Sequence, residues 1–184
     1  MLNIIRGMIL AGVILLLAGF GFIYSGVYSV AADTPHNPLT YWLLETLRER
    51  SIDRASRPLD VPDLNSADWL LAGGPDYNEM CAGCHLRPGK TYSDMSLGLY
   101  PVPPNLTAGL DEHEHADDDK QSLARRQFWI IKHGIKASGM PAWGKTHDDQ
   151  RIWAMVAFLQ RLPELTEEQY QILTARDKAG SGHH

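Results

Sequence analysis

An all-α protein is the fold class this sequence predicts, and three observations lead there. Residues 7–32 form one uncharged run longer than the ~20 apolar residues that a membrane-spanning helix needs. Helices are expected over residues 40–54, 121–134 and 148–162, the first and last of them with apolar residues at helical spacing. The stretch Cys81-Ala82-Gly83-Cys84-His85 has the spacing of a single helical turn.

Taken in order, Arg6 is the only charged side chain before the long run, so the positive-inside rule places the N-terminus in the cytoplasm and the rest in the periplasm. Tyr24 and Tyr28 fall toward the far end of the run, where aromatic rings suit the lipid–water interface. Val30-Ala31-Ala32 would also suit a signal peptidase, but the run exceeds a signal peptide's apolar core, and a retained anchor is expected. Thr34-Pro35-His36-Asn37-Pro38 breaks the helix. Residues 40–54 then read as an amphipathic helix docked on the domain that follows, with Arg48, Arg50, Arg54 and Arg57 able to meet lipid headgroups or a partner. Pro58 and Pro62 make an extended tether. Ser66 is the expected N-cap of a short helix ended by Gly73-Gly74, with Pro75 opening the next one. The domains expected are 1–32 (cytoplasmic stub and transmembrane anchor), 33–65 (periplasmic amphipathic helix and tether), 66–176 (the main domain) and 177–184 (a linker or tag-like tail).

The only two cysteines of the chain are Cys81 and Cys84, followed by His85. C-x-x-C-H reads as covalent attachment of haem c, both thiols adding to one edge of the porphyrin and His85 offering its ring nitrogen to the iron. A thioredoxin-like motif would want a βαβ setting and has no need of the histidine. A closed zinc site needs a second ligand cluster, and a disulfide would leave His85 unexplained. Of the six methionines, Met1 and Met8 belong to the apolar N-terminus and Met80 adjoins Cys81. Met155 lies in a helical core run, and Met95 is close to the attachment site. Met140 stands in Gly139-Met140-Pro141-Ala142-Trp143-Gly144, where Gly139 permits an unusual backbone angle and Pro141 stiffens the segment. It is the expected sixth ligand. His133 is the alternative, with a surface role at a helix end as its plainer reading.

These residues, with Pro103-Pro104-Asn105-Leu106 and Ile131-x-x-Gly134-Ile135, resemble the class I cytochrome c family over about residues 66–165, and in particular the single-haem domains of oxidase and dehydrogenase subunits. The resemblance implies an all-helical fold around one covalent haem c, His85/Met140 ligation, and electron transfer without substrate chemistry. It also places Pro104, Leu106 and Trp143 beside the haem. The expected function is therefore a membrane-anchored periplasmic electron carrier cycling between ferric and ferrous iron. Its redox partners would be a quinol-oxidising complex, a terminal oxidase or a membrane dehydrogenase. The alternatives are a relay subunit of a larger complex and a haem-based sensor. A net charge of −5 with no basic stripe argues against nucleic acid. The acidic run Asp111–Asp119, with His113 and His115, reads as wet surface, with a metal or docking site as the sharper option. Thr146 and Asp149 suggest an N-cap and N3 for the last long helix.

Overall fold

A computed structural model describes residues 1–109 and 120–175, and among them every regular element is a helix. It divides into two units, Met1–Thr34 and Pro35–His184. The acidic run and the tag-like tail lie outside the described residues.

The first unit is α1 (Leu2–Ser25), with a mean hydropathy of 2.3 over its most apolar window. Its side chains are nearly all exposed: Leu15 is 72% and Ile23 72% accessible. An apolar helix of this length matches the span of a bilayer, and by length and composition it is compatible with a single-pass anchor or with a signal sequence. It stops earlier than the uncharged run, because Gly26 at φ 63° caps it in the left-handed conformation.

The second unit begins with α2 (Pro38–Ser56). The Asn37 side chain accepts from Thr40 N and Pro38 sits at the first turn, so residues expected to break a helix open one instead. Its buried residues lie in its C-terminal half. Ile52 is 2% exposed, and Glu49 and Asp53 both pair with the buried Arg126. The leucines of the N-terminal half stay exposed, contrary to the expectation of a helix docked along its apolar side. The chain then continues into α3 (Ala67–Met80), a short α4 (Ala82–His85), α5 (Asp94–Leu97), α6 (Lys120–His133), α7 (Asp149–Arg161) and α8 (Glu167–Thr174).

Where two helices were expected around Gly73-Gly74-Pro75, α3 runs through all three residues. The glycines do not end the helix; they let it cross its neighbours. A Cβ on Gly73 would run into the Ala154 carbonyl of α7, and one on Gly74 into the Leu173 carbonyl of α8. Packing at that crossing outweighs the ~3 kcal/mol that an interior proline costs. Ser66 occupies the N-cap position without a side-chain cap bond. The buried Asp76 binds Arg151 of α7, one of the two bonds being 2.8 Å from Nη2 to Oδ1.

Two apolar clusters follow from this crossing. One gathers Phe128, Ile131, Ile152, Trp153, Met155 and Val156, with Phe128 and Trp153 stacked at 4.1 Å. The other gathers Tyr77, Cys81, Phe158, Leu162 and Tyr170, with Tyr77 and Phe158 at 5.4 Å. Met80 and Leu159 pack against both. The cap of α7 is Asp148, whose side chain accepts from Arg151 N at 2.8 Å; the expected cap, Thr146, instead closes a 3-10 turn over Trp143–Lys145. That turn uses up Thr146 and shifts the helix start by two residues. Thr166 and Gln169 form a capping box on α8.

Candidate haem site

Cys81, Cys84 and His85 sit on one turn, as the spacing requires. Cys84 N and His85 N both donate to Cys81 O, at 3.1 and 2.8 Å. Both cysteines are free thiols. Cys81 is 8% exposed, and burial first, then the charges of Asp76 and Cys84, pushes its thiol up to about 12. An uncharged sulfur is what this wall of the apolar cluster tolerates, and a thioether is uncharged. The turn is braced from outside itself. Ser93 Oγ donates to Gly83 O at 2.6 Å, and Tyr77 Oη donates to Leu86 O at 2.7 Å. Leu86, at φ 70°, turns the chain sharply away after His85.

His85 Nδ1 lies 2.9 Å from the Pro104 carbonyl oxygen. A carbonyl can only accept, so Nδ1 carries the proton and Nε2 keeps its lone pair. Burial lowers the pKa of His85, outweighing the opposing effect of the Pro104 carbonyl, and so favours the neutral ring. A neutral histidine with a committed Nδ1 and an available Nε2 is the state that an axial haem ligand needs. Pro104 thus contributes a backbone acceptor as well as an apolar ring. Leu106, in a 3-10 turn over Leu106–Ala108 led by the Asn105 side chain, packs against the cluster that holds Cys81.

Met140 is presented by the loop between α6 and α7. Gly134 ends α6 at φ 65°, and Ile135 N donates to Met140 O at 3.1 Å. Ser138 Oγ donates to Ile135 O at 2.8 Å and accepts from Met140 N at 3.1 Å. The left-handed residues of this loop are Gly134 and Ala137 (φ 57°), so the unusual backbone that Gly139 would permit falls elsewhere. Gly139 answers to space instead: its Cβ would sit 2.7 Å from Leu99 Cδ2. Met140 and Trp143 both pack against the Phe128–Trp153 cluster, and the Trp143 ring stands edge-on to His147 at 5.5 Å.

The competing methionines and histidine take other places. Met155 is 1% exposed in the core, Met95 is 59% exposed, and Met80 packs between the clusters. His133 is exposed at the end of α6 with its ring 5.0 Å from that of Trp129. Sequence reasoning overlooked Ser138 and Ser93, and the one signal for either is a serine close to the residue it braces. The donor set therefore fits a covalent haem: two thiols on one turn, a neutral imidazole with its outer nitrogen tied down, and a thioether on a hydrogen-bonded loop. No cluster of three or more His, Cys, Asp or Glu with metal-binding spacing occurs among the described residues.

Residues 70–159 match the family model for the cbb3-type cytochrome c oxidase subunit III. No curated protein and no solved structure gives a significant match. The family match runs from within α3 to within α7 and includes the Cys81–His85 turn and the Met140 loop. The chain therefore carries a class I c-type cytochrome domain, as found in oxidase subunits, and the chemistry of such a domain is electron transfer by covalently bound haem c.

Proposed function

We propose that this chain is a membrane-anchored, periplasm-facing electron carrier, in which Cys81 and Cys84 hold a single haem c and His85 and Met140 are its axial ligands. The observation that carries the proposal is the hydrogen bond from His85 Nδ1 to Pro104 O, on the turn that also bears both thiols. Haem c bound there would supply a one-electron ferric/ferrous couple. The protein's own part is to hold that group. The thioethers fix its edge, the Pro104 carbonyl orients the imidazole, and the Ser138-braced loop presents the sulfur. A methionine ligand raises the potential relative to two histidines. Trp143 and Leu106, each packed on an apolar cluster, would border the haem, and with His85 and Met140 both bound to it small ligands would find no open position.

A domain of this type carries electrons rather than transforming a substrate. The family match favours redox partners in a respiratory complex, with a quinol-oxidising complex, a terminal oxidase or a membrane dehydrogenase as the candidates. A second reading is supported by the same match: a relay subunit fixed within a larger oxidase. In either case α1 confines the domain to the membrane surface and raises its effective concentration near integral partners.

Two measurements test this reading. A potentiometric titration of the full chain should give a reversible one-electron wave, and the ferrous protein should not bind carbon monoxide. Ready carbon monoxide binding would replace the carrier with a sensor. Protease added to spheroplasts should digest the haem domain; a protected domain would overturn the periplasmic orientation. Co-purification of the chain in fixed stoichiometry with an oxidase would establish the relay reading.

A further inference from the structure

The first three turns of α2 carry an apolar face that the domain leaves uncovered. Leu39, Leu43 and Leu47 recur every four residues and are 65%, 53% and 68% exposed, with Trp42 and Leu44 exposed beside them. At ~100° per residue these three leucines lie away from Glu49, Ile52, Asp53 and Ser56, the side by which α2 meets α6. The outer side then continues into Arg50, Arg54 and Arg57, all exposed. A soluble surface seldom leaves so many adjoining apolar side chains in water.

We propose that this face of α2 lies in the lipid–water interface, with Leu39, Leu43 and Leu47 sunk below the headgroups and Arg50, Arg54 and Arg57 on their phosphates. The inference rests on the reading of α1 as a retained anchor. Three observations select lipid as the occupant. Residues 26–37 are all that separate α1 from α2, and at ~3.3–3.6 Å per residue they hold the start of α2 within ~40 Å of the end of α1, so the bilayer surface is in its reach. Trp42, 60% exposed at the flank of this face, is a residue type that settles at headgroup level. The chain carries a net charge of −5, yet the charges on this side are arginines, which complement anionic headgroups. An apolar stripe joined to basic residues is the composition of an interfacial helix.

The consequence is an oriented haem site. Tyr100 Oη accepts from His36 N at 3.2 Å, and the two rings meet edge-on at 5.2 Å, so the start of α2 is tied to the segment that leads to Pro104. A helix laid on the membrane would hold that segment, and the His85 side of the domain, at a set angle to the surface.

The test is nitroxide labelling of the full-length holoprotein in phosphatidylcholine/phosphatidylglycerol vesicles, with labels at Leu43→Cys, Ile14→Cys in α1 and Gln171→Cys on α8. Leu47→Cys serves if the Leu43 variant matures poorly. The Leu43 label should gain collisions with oxygen and lose collisions with a water-soluble nickel chelate, relative to the Gln171 label. Equal accessibility at Leu43 and Gln171 overturns the inference. If the Ile14 label is then deep in lipid, the anchor reading survives alone; if it too is in water, both fall. A Leu43 label in lipid with Ile14 in water would sustain the interfacial helix and remove the anchor. A Leu43 label that is wet in vesicles but immobilised in native membranes would give the face to a protein partner and overturn lipid as its occupant.

Discussion

The two sides of the proposed haem site are built in opposite ways. On the histidine side, Cys81, Cys84 and His85 are held by one helical turn, and among the described residues the Pro104 carbonyl and two bracing hydroxyls hydrogen-bond to it from outside the turn. On the methionine side no helix holds Met140. Its place follows from a left-handed glycine, a serine that closes the loop on itself, and an apolar cluster contributed by α6 and α7. The histidine side is local, and attachment through Cys81 and Cys84 would make it covalent, so small errors there would be absorbed by the turn. The methionine side is a tertiary construction, and it is where modest substitutions should displace a ligand without unfolding the domain.

The largest effect expected belongs to the local side. Cys81→Ala with Cys84→Ala should abolish covalent attachment, so that acidified acetone extracts all the haem; haem that stays with the protein would mean that attachment lies elsewhere. The next tests the methionine side. In Gly134→Ala the new Cβ meets Met140 O and Pro141 C at 2.7 Å, both backbone atoms, at a φ that costs ~1–2 kcal/mol for an L residue. The variant should lose ~2 kcal/mol or more of stability in denaturant titration and most of its methionine–iron absorption. Gly139→Ala meets only the tip of the Leu99 side chain, at an ordinary φ, and should cost clearly less. Equal losses would show that the loop tolerates no crowding anywhere. The smallest effect has the other sign. Ala137 stands at φ 57°, so Ala137→Gly should relieve left-handed strain against a smaller entropic cost, a gain of about 0.5 kcal/mol.

This asymmetry also decides what could be read in advance. The Cys81–His85 turn is legible because its partners are neighbours in sequence, and α1 because apolar length is a property of the run itself. Punctuation residues misled wherever a tertiary contact gave them another task. Gly73 and Gly74 read as a helix end because their use, the approach of α3 to the Ala154 and Leu173 carbonyls, involves residues about 80 to 100 positions away. Gly139 attracted the backbone argument that belongs to Gly134, since neither φ nor the nearness of Leu99 is written in the local string. Thr146 lost its cap to Asp148 because an intervening 3-10 turn had no clear signature. The leucines of α2 have the spacing of a buried face, and pattern alone does not say that their own domain leaves them open.

The central claim is that Cys81 and Cys84 would hold a covalent haem whose iron His85 and Met140 would bind. It is tested most directly by the absorption spectrum of the purified chain, oxidised and reduced, beside Met140→Ala. The account predicts a low-spin c-type spectrum with a far-red methionine–iron band that the variant loses. The variant's potential should also fall, by a fraction of the ~0.8 V range over which axial ligands tune haem. A wild-type spectrum without that band, or one that Met140→Ala leaves unchanged, would contradict the account and move the sixth ligand away from this loop.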